Sequence, residues 1–461
     1  MKIINWNTRG LGSRNKRRVV KDFLSSKNLD VVMIQETKKM KCDRRFVGSV
    51  WTVRNKDWAA IPACGASGGI LIIWDSKKLH SEEVVIGSFS VSVKFDLLYA
   101  SPTGESWSIE GLDWSPISEE SASRLDSPFT EEEISKAIFQ LDRDKASGPD
   151  GFTITVFQDC WDVIKEDLVR MFAEFHRSRI INQSTNAFFI VLLPKKNLTK
   201  KISDFKPISL ITSLYNIIVK VLSGHLRGVL HDTINSTQGA FIQERQILDV
   251  VLRANEIVDE KRRSGEEGVV FKIDFEKAYD HVSWDFLDHV LEKKGSSPKW
   301  RKWTSGCLSS VSYAVLVNGN NKGWVKASRG LRQGDPLSPF LFTLVPDVLS
   351  KMLLRAEERN LFEGFRVGRN RTRVTHLQFA DDTIFFSNAR EEDLQTLKSL
   401  LLVFGHIFGL KVNLNKSNIY GINLDQNHLS RLAELLDCKV SGWPILYLGL
   451  LLGGNPKACG F

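Results

Sequence analysis

The chain has 461 residues, 42% hydrophobic and 25% charged, ordinary values for a globular protein with room for two or three domains. Its net charge of +9 favours a polyanionic partner. No apolar run reaches the length of about 18 residues that a membrane span needs, residues 1–3 start no signal-peptide pattern, and six cysteines without Cys-x-x-Cys spacing give neither a zinc knuckle nor a disulfide framework and fit a reducing compartment.

Residues 1–98 read as α/β. Strands are expected at 2–6, 29–34 and 69–74, with a basic amphipathic helix over about 16–26 that gathers Val19, Val20, Phe23 and Leu24 on one face. Residues 99–130 are turn-rich, with Ser101-Pro102, Ser115-Pro116 and Ser127-Pro128, and are predicted to be a linker. Residues 131–461 read as one large α/β domain. Thr130 with Glu133 three residues on predicts a capped helix start. Helical patterns cover 133–142, 162–179, 208–230, 246–263 and 340–358. A hairpin is expected to turn at Asn318-Gly319 and another within 379–383. Pro346 falls inside the last helix, where a proline costs on the order of 3 kcal/mol unless the fold accepts a kink.

The chemistry concentrates at Phe379-Ala380-Asp381-Asp382, flanked by apolar runs on both sides. A third carboxylate, Asp274, ends the apolar run Val269-Val270-Phe271-Lys272-Ile273. Three carboxylates on the ends of two neighbouring strands suit a two-metal phosphoryl-transfer site, since Mg²⁺ seeks hard oxygen ligands. A polar hairpin turn is the plain alternative for Asp-Asp alone. Basic clusters at 14–18, 195–196, 200–201, 261–263 and 366–373 fit a phosphate-lined groove, although any one of them is ordinary as solvated surface. Tyr279 stands five residues after Asp274, placed to lie beneath a sugar. The loop Gly330-Leu331-Arg332-Gln333-Gly334-Asp335-Pro336 has two glycines that allow close approach of backbone to a ligand.

Together and in this order, these blocks resemble the reverse transcriptase of plant LINE-type (non-LTR) retrotransposons over about residues 125–461. Lys145-Ala146-Ser147-Gly148-Pro149-Asp150-Gly151 looks like an N-terminal finger motif. Leu193-Pro194-Lys195-Lys196 and Asp204-Phe205-Lys206-Pro207 look like finger elements, and Thr237-Gln238-Gly239-Ala240-Phe241 looks like the motif before the palm. Asp274, Gln333-Gly334 and Asp381-Asp382 fall in palm motifs A, B and C, Gly409 to Ser417 resembles motif D, and Tyr447-Leu448-Gly449 looks like the primer-contacting turn. The resemblance implies an α/β right-hand polymerase with fingers and palm. Two Mg²⁺ ions, or Mn²⁺, would be held by Asp274 and Asp381 with Asp382 assisting. Lys195 and Lys206 would bind the triphosphate, Tyr279 would act as a gate against a 2′-hydroxyl, Gln333 and Gly334 would lie at the nucleotide or template, and Lys416 would donate a proton to pyrophosphate. The implied partners are an RNA template, a DNA primer or target and dNTPs, with no membrane; the implied location is the nucleus.

Residues 3–10 and 34–37 resemble the first two motifs of the endonuclease/exonuclease/phosphatase fold carried by the same elements, with Asn7 and Glu36 as metal-side residues. No Gly-Asp-Phe-Asn or Ser-Asp-His follows before the polymerase motifs begin. An incomplete, inactive fragment with poorly partnered strands is therefore expected. Within the polymerase part, Lys206 stands for the usual arginine and loses bidentate phosphate geometry, Ser147 and Leu451 stand for prolines, and the thumb is expected to be missing. These departures keep a second reading open, a catalytically inactive remnant that only binds nucleic acid, and a third, a maturase-like RNA chaperone.

Overall fold

The computed structural model describes residues 3–8, 10–27, 29–53, 55–64, 67–76, 79–86, 91–97, 111–197, 204–317, 319–414 and 416–454. The chain forms two compact units, Met1–Ser108 and Ile109–Phe461. Among the described residues, no helix is long and apolar enough to cross a membrane.

The first unit contains β1 (Ile3–Asn7), α1 (Arg14–Ser25), β2 (Val31–Gln35), α2 (Arg44–Val50), β3 (Lys56–Cys64), β4 (Ser67–Asp75) and a hairpin of β5 (Leu79–Ile86) and β6 (Val91–Leu97). The sheet order is β1-β2-β4-β3, with β1 and β2 parallel, so α1 is the crossover that a parallel pair requires. Val20 and Leu24 of α1 are buried, whereas Val19 is 65% and Phe23 41% exposed, so the expected four-residue face is split. The expected lack of strand partners does not hold for β1 to β4, which pair in one sheet. The missing partner was β3, whose Pro62 and weak alternation hide it in the sequence.

The second unit begins with α3 (Glu119–Leu125), α4 (Glu131–Phe139), α5 (Ile154–Asp159) and α6 (Trp161–Ser178). The hairpin β7 (Ala187–Pro194) and β8 (Phe205–Ile211) and the helices α7 (Ser213–Thr233) and α8 (Ile247–Ser264) follow. Next come β9 (Gly268–Ile273), α9 (Ala278–His281), α10 (Trp284–Lys293), α11 (Pro298–Ser309), β10 (Ser312–Val317), β11 (Asn320–Lys326) and α12 (Ser338–Glu358). The remainder is β12 (Phe365–Val367), β13 (Thr372–Val374), β14 (His376–Phe379), β15 (Asp382–Ser387), α13 (Glu391–Phe408), β16 (Asn418–Ile422), α14 (Gln426–Leu435), β17 (Lys439–Val440), β18 (Ile445–Tyr447) and β19 (Leu450–Leu452).

Two sheets organise this unit, β14-β15-β9-β16-β17 and β11-β10-β7-β8. The first ends at Asp274 and Asp382, and the second includes Leu193-Pro194 and Phe205-Lys206-Pro207. The mixed α/β class is as expected. β9 is the central strand, antiparallel to both β15 and β16, and is buried apart from Lys272, which is why it reads as an unbroken apolar run rather than an alternating one.

Three expectations need correction. The 99–130 segment is not a linker from Gly111 onward (98–110 lie outside the described residues). Leu112, Trp114, Ile117 and Phe129 pack on the main core, the Thr233 hydroxyl donates to the Ser115 carbonyl at 2.6 Å, and the Ser121 hydroxyl donates to Asp232 at 3.1 Å. The helix expected from 208 starts at Ser213, because 205–211 pair with β7 as a strand; a short apolar run does not announce which it will be. Pro346 does not interrupt α12, which runs through it. The Pro346 carbonyl accepts from Gln378 Nε2 at 3.2 Å and Ser350 Oγ at 3.3 Å, so the helix segment at the proline is tied to β14. The capped start at Thr130 is present, with Glu133 N–H donating to the Thr130 hydroxyl at 3.2 Å and Thr130 N–H to Glu133 at 3.0 Å. Asn318 lies outside the described residues, but β10 and β11 form the expected hairpin around it.

Candidate active site

β14 and β15 close at the pair Phe379↔Asp382, leaving Ala380 and Asp381 as a two-residue loop. Ala380 has φ of 54°, a left-handed first loop position that favours glycine. The pair Ile273↔Thr383 joins β9 to β15. One residue further, the register carries Asp274 to a point opposite Asp382. The Asp274 carbonyl accepts from Asn413 N–H at 2.7 Å, and the Asp274 N–H donates to the Ser417 hydroxyl at 3.4 Å. The motif D loop thus pins the end of β9.

Lys416 Nζ lies 2.9 Å from Asp274 Oδ2. Burial, and then the Asp274 charge, push the Asp381 carboxyl above the usual range. Burial followed by the charges of Asp381 and Asp274 does the same to Asp382. The Lys416 ammonium opposes both shifts. Asp381 and Asp382, each raised by burial and by a neighbouring carboxylate, stand at a site short of positive charge. Among the described residues, no group of three His, Cys, Asp or Glu side chains converges into a ready metal cage. The donors present, carboxylate oxygens with one already on an ammonium, fit a Mg²⁺ ion held by one or two carboxylates and completed by substrate phosphates.

The Tyr279 ring stacks on Phe342 of α12, with centroids 4.4 Å apart and planes at 11°. Burial, then the Asp381 charge, push its phenol pKa up. The Leu331 and Gly330 amides donate to the carbonyls of Tyr279 at 2.7 Å and Val282 at 2.8 Å, zipping the segment after β9 to the loop that holds Gln333 and Gly334. A Cβ on Gly330 would stand 2.6 Å from the Asp280 carbonyl oxygen, and its φ is +92°, so only glycine permits the zipper.

Gln333 lines a cavity of about 470 Å³ with Phe188, Ser209, Tyr313, Arg329 and Arg332. Lys145 Nζ donates to the Gly334 carbonyl at 3.1 Å, and burial lowers its pKa. Arg332 lies between the Phe188 and Tyr215 rings, 5.3 Å and 4.3 Å from their centroids, and Asp335 accepts from the first amides of α12 at 2.7 Å and 3.2 Å. Lys195 and Lys206 are exposed on the β7–β8 hairpin of the other sheet, where Lys206 pairs with Leu193. The Ser209 carbonyl oxygen is 3.8 Å from where a Gly334 Cβ would be. Lys206 is three residues along the strand, roughly 10 Å away.

The structure therefore gathers Asp274, Asp381, Asp382, Lys416 and Tyr279, sets Gln333 and Gly334 on a loop tied to the same segment, and leaves the two lysines on a neighbouring hairpin. Asn7 and Glu36 of the first unit also meet, Nδ2 to Oε1 at 3.0 Å. Sequence reasoning did not single out Lys145, Arg332, Gln238 or Tyr447, although each lies in a quoted motif. Tyr447 is fully buried, feels the Asp382 charge, and its hydroxyl has no hydrogen-bond partner among the described residues.

Residues 193–452 match the family described as reverse transcriptase (RNA-dependent DNA polymerase). The chain is 28% identical over 302 residues to the transposon TX1 uncharacterized 149 kDa protein of Xenopus laevis, covering 66% of this chain and 23% of that protein. It is 46% identical over 107 residues to an uncharacterized mitochondrial protein of Arabidopsis thaliana, covering 23% of this chain and 85% of the other. It is 26% identical over 304 residues to the retrovirus-related Pol polyprotein from the type-2 retrotransposable element R2DM of Drosophila melanogaster, covering 66% and 27%. The chain thus spans about a quarter of the length of the transposon relatives.

Proposed function

The chain belongs to the reverse transcriptase (RNA-dependent DNA polymerase) family, and we propose that it is the polymerase of a non-LTR element, adding dNTPs to a DNA primer 3′-hydroxyl along an RNA template. The observation that carries this reading is the set of three carboxylates at the adjoining ends of β9 and β15, with Lys416 on Asp274. Asp274 and Asp381 would hold divalent ions, with Asp382 beside them. Such ions supply a lowered pKa at the primer hydroxyl and neutralise the leaving pyrophosphate. Lys416, freed from Asp274, would carry a proton toward the pyrophosphate. Tyr279, fixed flat against Phe342, would stand against a ribose 2′-hydroxyl. Gln333 and Gly334 would contact the nucleotide or template, and the Lys195 and Lys206 ammonium groups would meet the triphosphate.

A plant host fits the Arabidopsis relative. Nuclear action follows from copying RNA at a chromosomal nick. The Asn7–Glu36 pair supports reading the first unit as an endonuclease-type fragment, inactive for want of the later motifs. The second reading is a remnant that only binds nucleic acid, for which the net charge of +9 would suffice.

Primer extension on poly(rA)/oligo(dT) with Mg²⁺ or Mn²⁺ separates the two. Extension by the parent, lost in Asp381→Asn while duplex binding persists, supports the polymerase. Well-folded parent protein that binds the duplex and extends nothing is the remnant. Binding in either case weakens steeply with salt through counterion release.

A further inference from the structure

Asp381 sits in a loop that should be hard to hold. The preceding residue, Ala380, has a φ of 54°, a conformation costing a non-glycine residue roughly 1–2 kcal/mol. Its amide must also find an acceptor in a partly buried place. That acceptor comes from another part of the chain. Gln238, between α7 and α8 and fully buried, accepts through Oε1 from the Ala380 amide at 3.0 Å and from the Ala240 amide at 2.9 Å.

The Gln238 backbone is itself fixed against β14. Gly239 N–H donates to the Gln378 carbonyl at 2.8 Å, and Gln378 N–H donates to the Thr237 carbonyl at 2.9 Å. Arg245 donates to the Asn235 and Gln238 carbonyls at 2.7 Å and 2.6 Å. A Cβ on Gly239 would stand 2.2 Å from Val250 Cγ2, so the strap lies flush between α8 and the carboxylate hairpin.

We infer that Gln238 is a positioning residue for the metal-binding turn: its side-chain carbonyl holds the Ala380 amide and thereby aims the Asp381 carboxylate at Asp274. This rests on the polymerase reading. The mechanics parallel outer-shell partners of metal ligands, whose loss typically costs 10–100-fold in metal affinity or activity. Gln238 touches neither substrate nor metal in this account and acts only through the turn.

The test compares the full chain with Gln238→Met, which keeps the length but offers no oxygen, and with Gln238→Met/Ala380→Gly. Three quantities are read: hydrogen exchange over residues 376–387, Mn²⁺ binding by electron paramagnetic resonance, and primer extension. Gln238→Met should speed exchange over 376–387 while β16 stays protected. It should weaken Mn²⁺ binding and lower kcat about tenfold, with KM for the duplex within about twofold. Adding Ala380→Gly should recover part of the Mn²⁺ affinity, because glycine takes positive φ freely, while the residue 380 amide, still without its acceptor, keeps exchanging fast. Unchanged exchange or unchanged Mn²⁺ affinity in folded Gln238→Met overturns the proposal, as does a loss of Mn²⁺ affinity that Ala380→Gly does not recover in part. If Gln238→Met does not fold, Gln238→Asn, with its oxygen drawn back by one methylene, is read the same way. If Gln238→Met shows the exchange and Mn²⁺ effects but the parent extends no primer, the polymerase reading is refuted and the strap stands.

Discussion

Asp382→Asn should make the metal-free protein more stable. Residues opposed across an antiparallel pair hold their Cβ atoms about 4.5–5.5 Å apart, which puts Asp274 and Asp382 about 5 Å apart from Cβ to Cβ. Like charges at that distance repel by about 3 kcal/mol at an effective dielectric of about 20. Lys272 and Lys416, the latter 2.9 Å from Asp274, offset part of this repulsion, and burial and the Asp381 charge add to it, so the net strain is taken as about 1 kcal/mol. Asparagine keeps the shape and removes the charge. A gain of about 1 kcal/mol corresponds to a Tm rise of about 2 °C in a unit of this size.

The pH dependence follows from the raised Asp382 pKa, which burial causes first and the charges of Asp381 and Asp274 second. The penalty is full above the raised folded pKa. It shrinks as pH falls through that value and vanishes below the unfolded value of about 3.9. The variant's advantage should therefore be present at neutral pH and disappear on acidification. Mg²⁺ should raise the parent's Tm with concentration and the variant's less, since the ion binds the folded site. Calorimetry of both proteins, with chelator and with Mg²⁺, reads all three effects. A variant that melts lower than the parent in chelator at neutral pH, or an advantage that grows in acid, refutes the reasoning.

Gly330→Ala should destabilise the second unit by about 2–4 kcal/mol, since the new Cβ meets the Asp280 carbonyl oxygen at 2.6 Å at a φ of +92°; a chemical denaturation midpoint within error of the parent would contradict this. Lys294→Met should cost about 3–5 kcal/mol, because it leaves Asp347, 0% exposed and 2.7 Å from the ammonium, without its cation; adding Asp347→Leu should recover part of that loss in the same denaturation assay. Tyr279→Ala should raise ribonucleotide relative to deoxynucleotide incorporation about tenfold or more by opening the space above Phe342; unchanged discrimination in single-nucleotide extension would remove Tyr279 from the gate.

The carboxylates were legible because each is announced locally: an apolar run that ends at Asp274, and two short runs that meet at Asp381-Asp382. The capped start of α4 was legible for the same reason, since Thr130 and Glu133 satisfy each other within four residues. What failed depended on partners far along the chain. Residues 205–211 became a strand because β7 lies beside them. Pro346 stays within α12, where its carbonyl accepts from Gln378, 32 residues on (378 − 346). Residues 111–130 were ordered by the core they cover.

By itself, the sequence determined which side chains stand at the ends of which local elements, because apolar period, caps and turns act over a few residues. Only the tertiary structure decided what those side chains face. Lys416 meets Asp274 across 142 positions (416 − 274), and the Gln238 carbonyl meets the Ala380 amide across 142. Hydrogen bonds and ion pairs form at about 3 Å in space, whatever the separation along the chain.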